Sequence, residues 1–133
     1  MKKIYILFLL TFLNILPLPS QTNVPEGDVF GTWTQVGSPY LIQGEITIPD
    51  NETLTIDPGV LVEFQDYYKL NVQGQILAIG TESDSIYFTI DDTTGFSDFT
   101  TMDGGWHGIR FNETSAENDS SKIMYCNIQY CKA

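Results

Sequence analysis

The feature that most constrains this chain is a series of short apolar runs, each closed by a turn, that begins at Ile46. Ile46-Thr47-Ile48 precedes the turn Pro49 to Glu52, and Leu54-Thr55-Ile56 precedes the turn Asp57 to Gly59. Alternation with period two places the apolar side chains on one face of a β-strand, and no later stretch shows a helical period. The sequence therefore predicts an all-β fold built from short strands.

The apolar runs also recur at a spacing in the low twenties. The matched pairs are Ile46 and Leu70 at 24 residues, Leu54 and Ile76 at 22, and Val62 and Ile86 at 24. Leu70 and Ile109 are 39 residues apart, and subtracting the polar stretch 91–105 restores 24. Three strands per repeat of this length predict a β-solenoid, with stretches 91–105 and 112–121 as loops at its corners.

The N-terminus has the layout of a cleavable signal peptide, residues 1–20. Lys2 and Lys3 precede an apolar run from Ile4 to Leu16, and Pro17 to Ser20 follow as a helix-breaking segment with a small final residue. The run is shorter than the roughly 20 apolar residues that span a bilayer. We therefore expect export, cleavage after Ser20 and no membrane span afterwards.

The exported part divides into a lead segment, residues 21–43, and the solenoid, residues 44–133. We expect the lead segment, with Trp33 and Tyr40, to cap the open end of the first coil, because an uncovered end exposes strand edges. Residues 123–131 are strand-forming, and no cap follows them. The pattern predicts the N-terminal piece of a longer solenoid.

Charge limits the partners of the exported chain. Without Lys2 and Lys3, four basic residues face seventeen acidic ones, a net charge of −13. Nucleic acid is excluded as a partner, because its binding depends on Lys and Arg at the phosphates. Anionic lipids and polysaccharides are repelled unless divalent cations bridge them.

Several segments in sequence order resemble a known family. They are Leu54 to Val60, Leu70 to Thr81, Ile86 to Thr89, Trp106 to Phe111 and Tyr125 to Tyr130. Together they resemble the opening coils of bacterial right-handed parallel β-helix proteins of the pectin-lyase-like superfamily, often exported by type IX secretion. The resemblance, over about residues 44 to 131, implies a right-handed helix, further coils downstream and display at the cell surface.

Aromatic residues in and beside the first loop are candidates for glycan contact. Phe96 and Phe99 lie in the polar stretch, where aromatic residues are less often needed for core packing, and Trp106 follows this stretch. Aromatic faces stack on sugars when polar groups surround them. For Trp106 the other interpretation is a structural one, closing a corner of the coil.

The same loop carries the candidate metal ligands, Asp91, Asp92, Asp98 and Asp103. Carboxylate oxygens suit calcium, although the spacing matches no established calcium motif. Calcium is therefore a candidate ligand, and no other cofactor is expected.

No catalytic constellation stands out in these residues. Related folds host polysaccharide lyases and glycosidases, but Arg110 lies in a strand with an outward side chain expected, and Asp91-Asp92 is the one adjacent carboxylate pair. A pair at the start of a loop is more often a solvated turn than an active site.

Cys126 and Cys131 leave two interpretations open, an intramolecular disulfide and small buried core residues. Fully extended, their separation is about 16 Å, beyond the reach of a disulfide unless the chain folds back between them.

Three functions remain. We expect a secreted or surface scaffold for adhesion or glycan binding, with a polysaccharide or a host or neighbouring cell surface as partner. The alternatives are the N-terminal part of a polysaccharide lyase or glycoside hydrolase with its active site beyond residue 133, and a compact β-sandwich carbohydrate-binding module.

Overall fold

The computed structural model describes residues 20–133, so the predicted signal peptide lies outside it except for Ser20. Regular structure in this part consists of one turn of 3-10 helix, Gln35–Gly37, and thirteen short strands. The strands are β1 Thr22–Val24, β2 Gly27–Asp28, β3 Gly31–Trp33, β4 Tyr40–Ile42, β5 Ile46–Ile48, β6 Thr53–Ile56, β7 Leu61–Phe64, β8 Lys69–Val72, β9 Gln75–Ile79, β10 Ile86–Ile90, β11 Gly108–Phe111, β12 Lys122–Met124 and β13 Cys126–Ile128. Within residues 20–133, no helix has the length and apolarity needed to cross a membrane.

The strands form three parallel sheets. The first sheet has the order β1-β4-β7-β10-β13, the second β2-β5-β8-β11, and the third β3-β6-β9-β12. Each strand therefore pairs with the third strand along the chain, so three consecutive strands complete one coil and the next coil lies about 4.8 Å above it. This arrangement is consistent with a parallel β-solenoid, and the prediction of an all-β fold is confirmed.

The core lies inside the coils and follows the alternation in the sequence. In β5 and β8 every second residue is fully buried, and Ile46 pairs with Leu70 while Ile48 pairs with Val72. Each such apolar side chain contributes about 1.5–3 kcal/mol when it is removed from water. Stacking of apolar residues in successive coils thus stabilises the fold.

The predicted register is right in two sheets and wrong in the first. Ile46 and Ile109 both pair with Leu70, and Leu54 pairs with Ile76, as the spacing predicts. Val62, however, pairs with Phe88 rather than Ile86. The corner before β10 is a tight turn in which Thr81 N donates to Asp84 O at 3.1 Å. The register of β10 on β7 is shifted by two residues from the prediction, and because side chains alternate with period two, the same face of β10 stays buried.

The lead segment predicted to cap the solenoid contains strands of its own. Residues 22–33 supply β1, β2 and β3, the first strand of each sheet. Trp33 stacks on Tyr40 with ring centroids 4.6 Å apart and planes 11° from parallel, and both rings are buried. The Tyr40 hydroxyl accepts from Thr34 N at 2.8 Å. The segment therefore extends the sheets and adds a stacked aromatic pair to the core, and its role as a cap stays a prediction.

At the opposite end, β11, β12 and β13 are the outermost strands of their sheets among residues 20–133. Inward side chains there, such as Ile109 and Ile123, are only partly buried, because one coil covers them instead of two. The expectation that more coils follow stays a prediction.

Candidate functional site

Residues 91–105 form the loop predicted between β10 and β11, built from tight turns without a strand. Phe96 N donates to Thr93 O at 3.1 Å and Asp98 N to Gly95 O at 2.9 Å. Gly104 has φ +74°, and a Cβ there would lie 2.5 Å from Phe96 N and 2.6 Å from Thr93 O. The two ends of the loop therefore approach so closely that only glycine fits between them.

Two of the four loop aspartates hold the backbone of the loop itself. Asp92 Oδ1 accepts from Thr94 N at 2.8 Å, and Asp98 Oδ1 accepts from Thr100 N at 2.9 Å and from Thr100 Oγ1 at 2.6 Å. These bonds to the charged form lower the pKa of both carboxyls. Such short-range turns are a common use of Asp in loops.

The candidate calcium ligands share the loop but not a common site. Among residues 20–133, no three His, Cys, Asp or Glu side chains lie together in a way that could hold a metal ion. Asp91, Asp92, Asp98 and Asp103 are all exposed. Their residue type suits calcium, but the turns of the loop direct Asp92 and Asp98 to backbone donors instead.

A lysine ammonium lies at the centre of the loop. Lys132 Nζ donates to four backbone carbonyl oxygens, those of Asp103 at 2.6 Å, Gly95 and Asp98 at 2.9 Å, and Thr101 at 3.3 Å. It also lies 5.6 Å from the ring centroid of Phe96. These carbonyls belong to different turns of the loop, so one side chain fixes their relative positions. We call this group the carbonyl cage.

The backbone around Lys132 is tied to the segment that follows the loop. Lys132 N donates to Trp106 O at 2.8 Å, and Trp106 N donates to Tyr130 O at 3.0 Å. The Tyr67 hydroxyl donates to Lys132 O at 2.8 Å. The ammonium therefore enters the loop from a backbone that the coil already holds in place.

Trp106, a candidate for glycan contact, lies in the core with no exposed surface. Its ring stacks on Phe64 and Phe88, at centroid distances of 4.2 and 6.3 Å, and its Nε1 donates to Gln129 O at 2.7 Å. This is the structural interpretation, and Trp106 presents no face to a ligand.

Phe96 and Phe99 have different surroundings. Phe96 is half-buried and meets the Tyr130 ring edge-on, with centroids 5.1 Å apart and an interplanar angle of 87°. Phe99 is 84% exposed. Of the three candidate aromatics, Phe99 is therefore the one whose ring is open to solvent.

Two open clefts flank the loop. One, of about 250 Å³, is lined by Phe99, Thr101, Met102, Cys131, Lys132 and Ala133. The other, of about 380 Å³, is lined mainly by polar groups: Gln65, Asp66, Ile90, Asp92, Thr94, Asp103 and Gly104. Loop 91–105 thus contributes residues to one mainly apolar cleft and to one mainly polar cleft.

The second predicted loop, 112–121, is held to earlier coils by several side chains, and Asn118 makes the most contacts among them. Asn118 Nδ2 donates to Asp50 Oδ1 at 2.6 Å and to Gln73 O at 3.2 Å, and Asn118 Oδ1 accepts from Asn51 N at 3.1 Å. Asn118 therefore joins this loop to two earlier corners of the solenoid.

Both cysteines are free thiols, and neither is a fully buried core residue. Cys126 is partly buried and Cys131 is exposed, because each lies on the outermost coil. Partial burial raises the pKa of both thiols. A raised pKa lowers the thiolate fraction, so neither is arranged as an activated nucleophile.

Sequence reasoning missed Lys132 and Asn118. The partners of Lys132 are backbone oxygens 29 to 37 residues away, so no pattern of residue types marks the site. Asn118 lies in a plain Asn-Asp-Ser turn that gives no sign of contacts 45 to 68 residues away.

Comparison of the chain with protein-family models, curated proteins and solved structures finds no match.

Proposed function

We propose that the chain is a secreted or surface-displayed right-handed parallel β-helix that binds glycans through loop 91–105. The observation that carries this proposal is the exposed Phe99 ring on a loop whose carbonyls are held together by Lys132. An exposed aromatic ring on an ordered loop is a ready stacking surface, because little conformational entropy is lost on binding.

The polar cleft beside the loop supports a sugar ligand. Asp92, Asp103 and Gln65 line it, and they supply acceptors and donors that match sugar hydroxyls. Sugar recognition commonly combines an apolar surface with a few oriented polar groups. Residues of loop 91–105 supply both kinds of group, the Phe99 ring and the polar side chains of the second cleft.

Charge selects among glycans. The full chain carries a net charge of −11, and the exported part −13 once Lys2 and Lys3 are removed. Uronate-rich polymers such as pectate are repelled by such a surface. We therefore propose neutral polysaccharides as the ligand class.

Export and handedness rest on general rules. Lys2 and Lys3 followed by a short apolar run have the layout of a secretory signal. About 98% of crossover connections between parallel strands of one sheet are right-handed, which supports a right-handed coil. Surface display through type IX secretion remains part of the proposal through the family resemblance.

The enzymatic alternative places its active site in coils beyond residue 133, and the carboxyls of residues 20–133 that have a shifted pKa do not favour it. A glycosidase needs a carboxyl whose pKa is raised so that it can donate a proton. The two carboxyls in this part of the chain with a clear shift, Asp92 and Asp98, have lowered pKa values.

The test is binding to soluble neutral polysaccharides, namely xylan, mannan and mixed-linkage β-glucan, with pectate as the charged comparison. Affinity electrophoresis of the wild type and of Phe99→Ala gives the dissociation constants. We expect a neutral polymer to bind and Phe99→Ala to weaken it about tenfold, the equivalent of about 1.4 kcal/mol.

The matched control is Phe30→Ala, which removes an exposed ring, 57% accessible, from the first coil. It should bind as the wild type does. Absence of binding to all three neutral polymers, or equal loss in both variants, would reject the loop as a glycan site.

A further inference from the structure

The carbonyl cage around Lys132 has the composition of a cation site rather than of an ion pair. Four backbone oxygens lie 2.6–3.3 Å from Nζ. The ion pair among residues 20–133 is Lys69 with Glu45, at 3.2 Å, and no carboxylate pairs with Lys132 there. Neutral carbonyl oxygens in a ring are the ligands that proteins use for weakly hydrated monovalent cations.

The number of donors fits the cage. An ammonium group has three N–H donors, and three of the four oxygens lie within 2.9 Å of Nζ. The fourth, Thr101 O at 3.3 Å, shares a donor or acts through charge alone. The Phe96 ring, 5.6 Å from Nζ, adds a face that attracts cations.

The stem of Lys132 enters beside a glycine. A Cβ on Gly105 would lie 2.6, 2.8 and 3.0 Å from Cγ, Cδ and Cβ of Lys132. Gly105 thus leaves the space through which the lysine reaches the cage.

We propose that loop 91–105 is a monovalent-cation site whose resident cation is the ammonium of Lys132. Once the lysine side chain is removed, the cage takes ammonium, a small primary ammonium ion or potassium. Calcium fits it poorly, because calcium in proteins prefers six to eight oxygens that include carboxylates, at 2.3–2.6 Å. The assignment does not require that the loop bind glycans, and it explains how an aspartate-rich loop is ordered through its carbonyls.

The first experiment uses the full wild-type chain. Nitrogen–proton correlation spectra of lysine ammonium groups report how fast their protons exchange with water. Lys132 should give a persistent signal, whereas Lys122, exposed on β12, should exchange too fast to be seen at the same pH. Equally fast exchange of the two lysines overturns the proposal without any variant having to fold.

The second experiment is cation rescue of Lys132→Ala, with Lys122→Ala as the matched control. Amide hydrogen exchange of peptides from the loop and from β7 and β8 is followed by mass spectrometry. We expect Lys132→Ala to lose about tenfold protection in the loop, because the charged group that binds its four carbonyls is removed. Strands β7 and β8 report whether the coil itself is folded.

Salts compared at equal ionic strength then distinguish binding of a cation in the carbonyl cage from general screening of surface charges. Ammonium, ethylammonium or potassium chloride should restore loop protection, and tetramethylammonium chloride, whose ion is too large and has no N–H, should not. Full protection without the lysine, equal effects of all salts, no rescue by any of them, or rescue by calcium chloride alone would each overturn the assignment.

Discussion

The indole of Trp106 lies face to face with the ring of Phe64, with centroids 4.2 Å apart and planes 12° from parallel. Phe64 belongs to β7 of the preceding coil, and Trp106 comes directly after the loop. The stack therefore anchors the returning end of loop 91–105 to the core, and its Nε1–H bond to Gln129 O ties the same residue to the outermost coil.

Trp106→Ala should lower the free energy of unfolding by about 3–5 kcal/mol, because it leaves a cavity against Phe64 and an unpaired carbonyl at Gln129. Urea denaturation followed by circular dichroism measures the change. Phe99→Ala, which removes an exposed ring from the same region, should stay within about 0.5 kcal/mol of the wild type. Equal effects of the two substitutions would contradict the burial of Trp106.

Asn118→Ala should lower the free energy of unfolding by about 0.5–1.5 kcal/mol, because it removes hydrogen bonds to exposed or partly buried partners. Exchange of loop 112–121 and of the corner near Asp50 should rise together, since Asn118 joins them. Asn112→Ala, an exposed asparagine in the same loop, is the control and should change neither. Faster exchange confined to the loop would show that the contact with Asp50 does not form.

The lowered pKa values of Asp92 and Asp98 make the loop sensitive to acid. A carboxyl whose pKa is lower in the folded state stabilises that state fully when the pH is above the carboxyl's ordinary pKa of 3.8. The stabilisation is lost as the pH falls through the pKa of the folded state. Melting temperature measured from pH 7 to pH 2 should therefore decline below about pH 4. Asp98→Asn keeps an amide oxygen for the turn and should decline less steeply; an unchanged slope would mean that Asp98 carries none of the effect.

Cys126 and Cys131 should react with iodoacetamide more slowly in the folded chain than in urea, because burial raises the pKa of both thiols. Mass spectrometry of peptides labelled at pH 8 measures the two rates. Both cysteines should label without prior reduction, as expected of free thiols. A pair that labels only after reduction would show that a disulfide joins them.

The sequence predicted the coil well where packing follows residue type. Leu70 pairs with both Ile46 and Ile109, because an apolar side chain that points inward packs against apolar side chains in the adjacent coils. The register failed at Phe88, because the length of the preceding corner depends on how Thr81 and Asp84 close their turn. Hydrogen bonding within a turn leaves no trace in the apolar spacing.

The site was harder to predict than the coil. Phe99 was selected by residue type and is exposed, but Trp106 was selected by the same reasoning and is buried against Phe64. The aspartates were selected as metal ligands because of their charge. The atoms that surround Lys132 Nζ in the loop are instead main-chain carbonyl oxygens, which every residue has. An assembly of backbone groups around Lys132 is visible only once the chain has folded.

The pairing of Leu70 with Ile109 spans the whole loop and still keeps the register of its sheet. Residues 91–105 can thus be regarded as a cassette inserted at one corner of a framework formed by the coils. The length of the cassette does not affect the register of the strands in that framework. Natural variation, or deliberate grafting, can change the cassette while the coils below it fold as before. The exception is the contact between Lys132 of the framework and the carbonyl groups of the cassette, where both must change together.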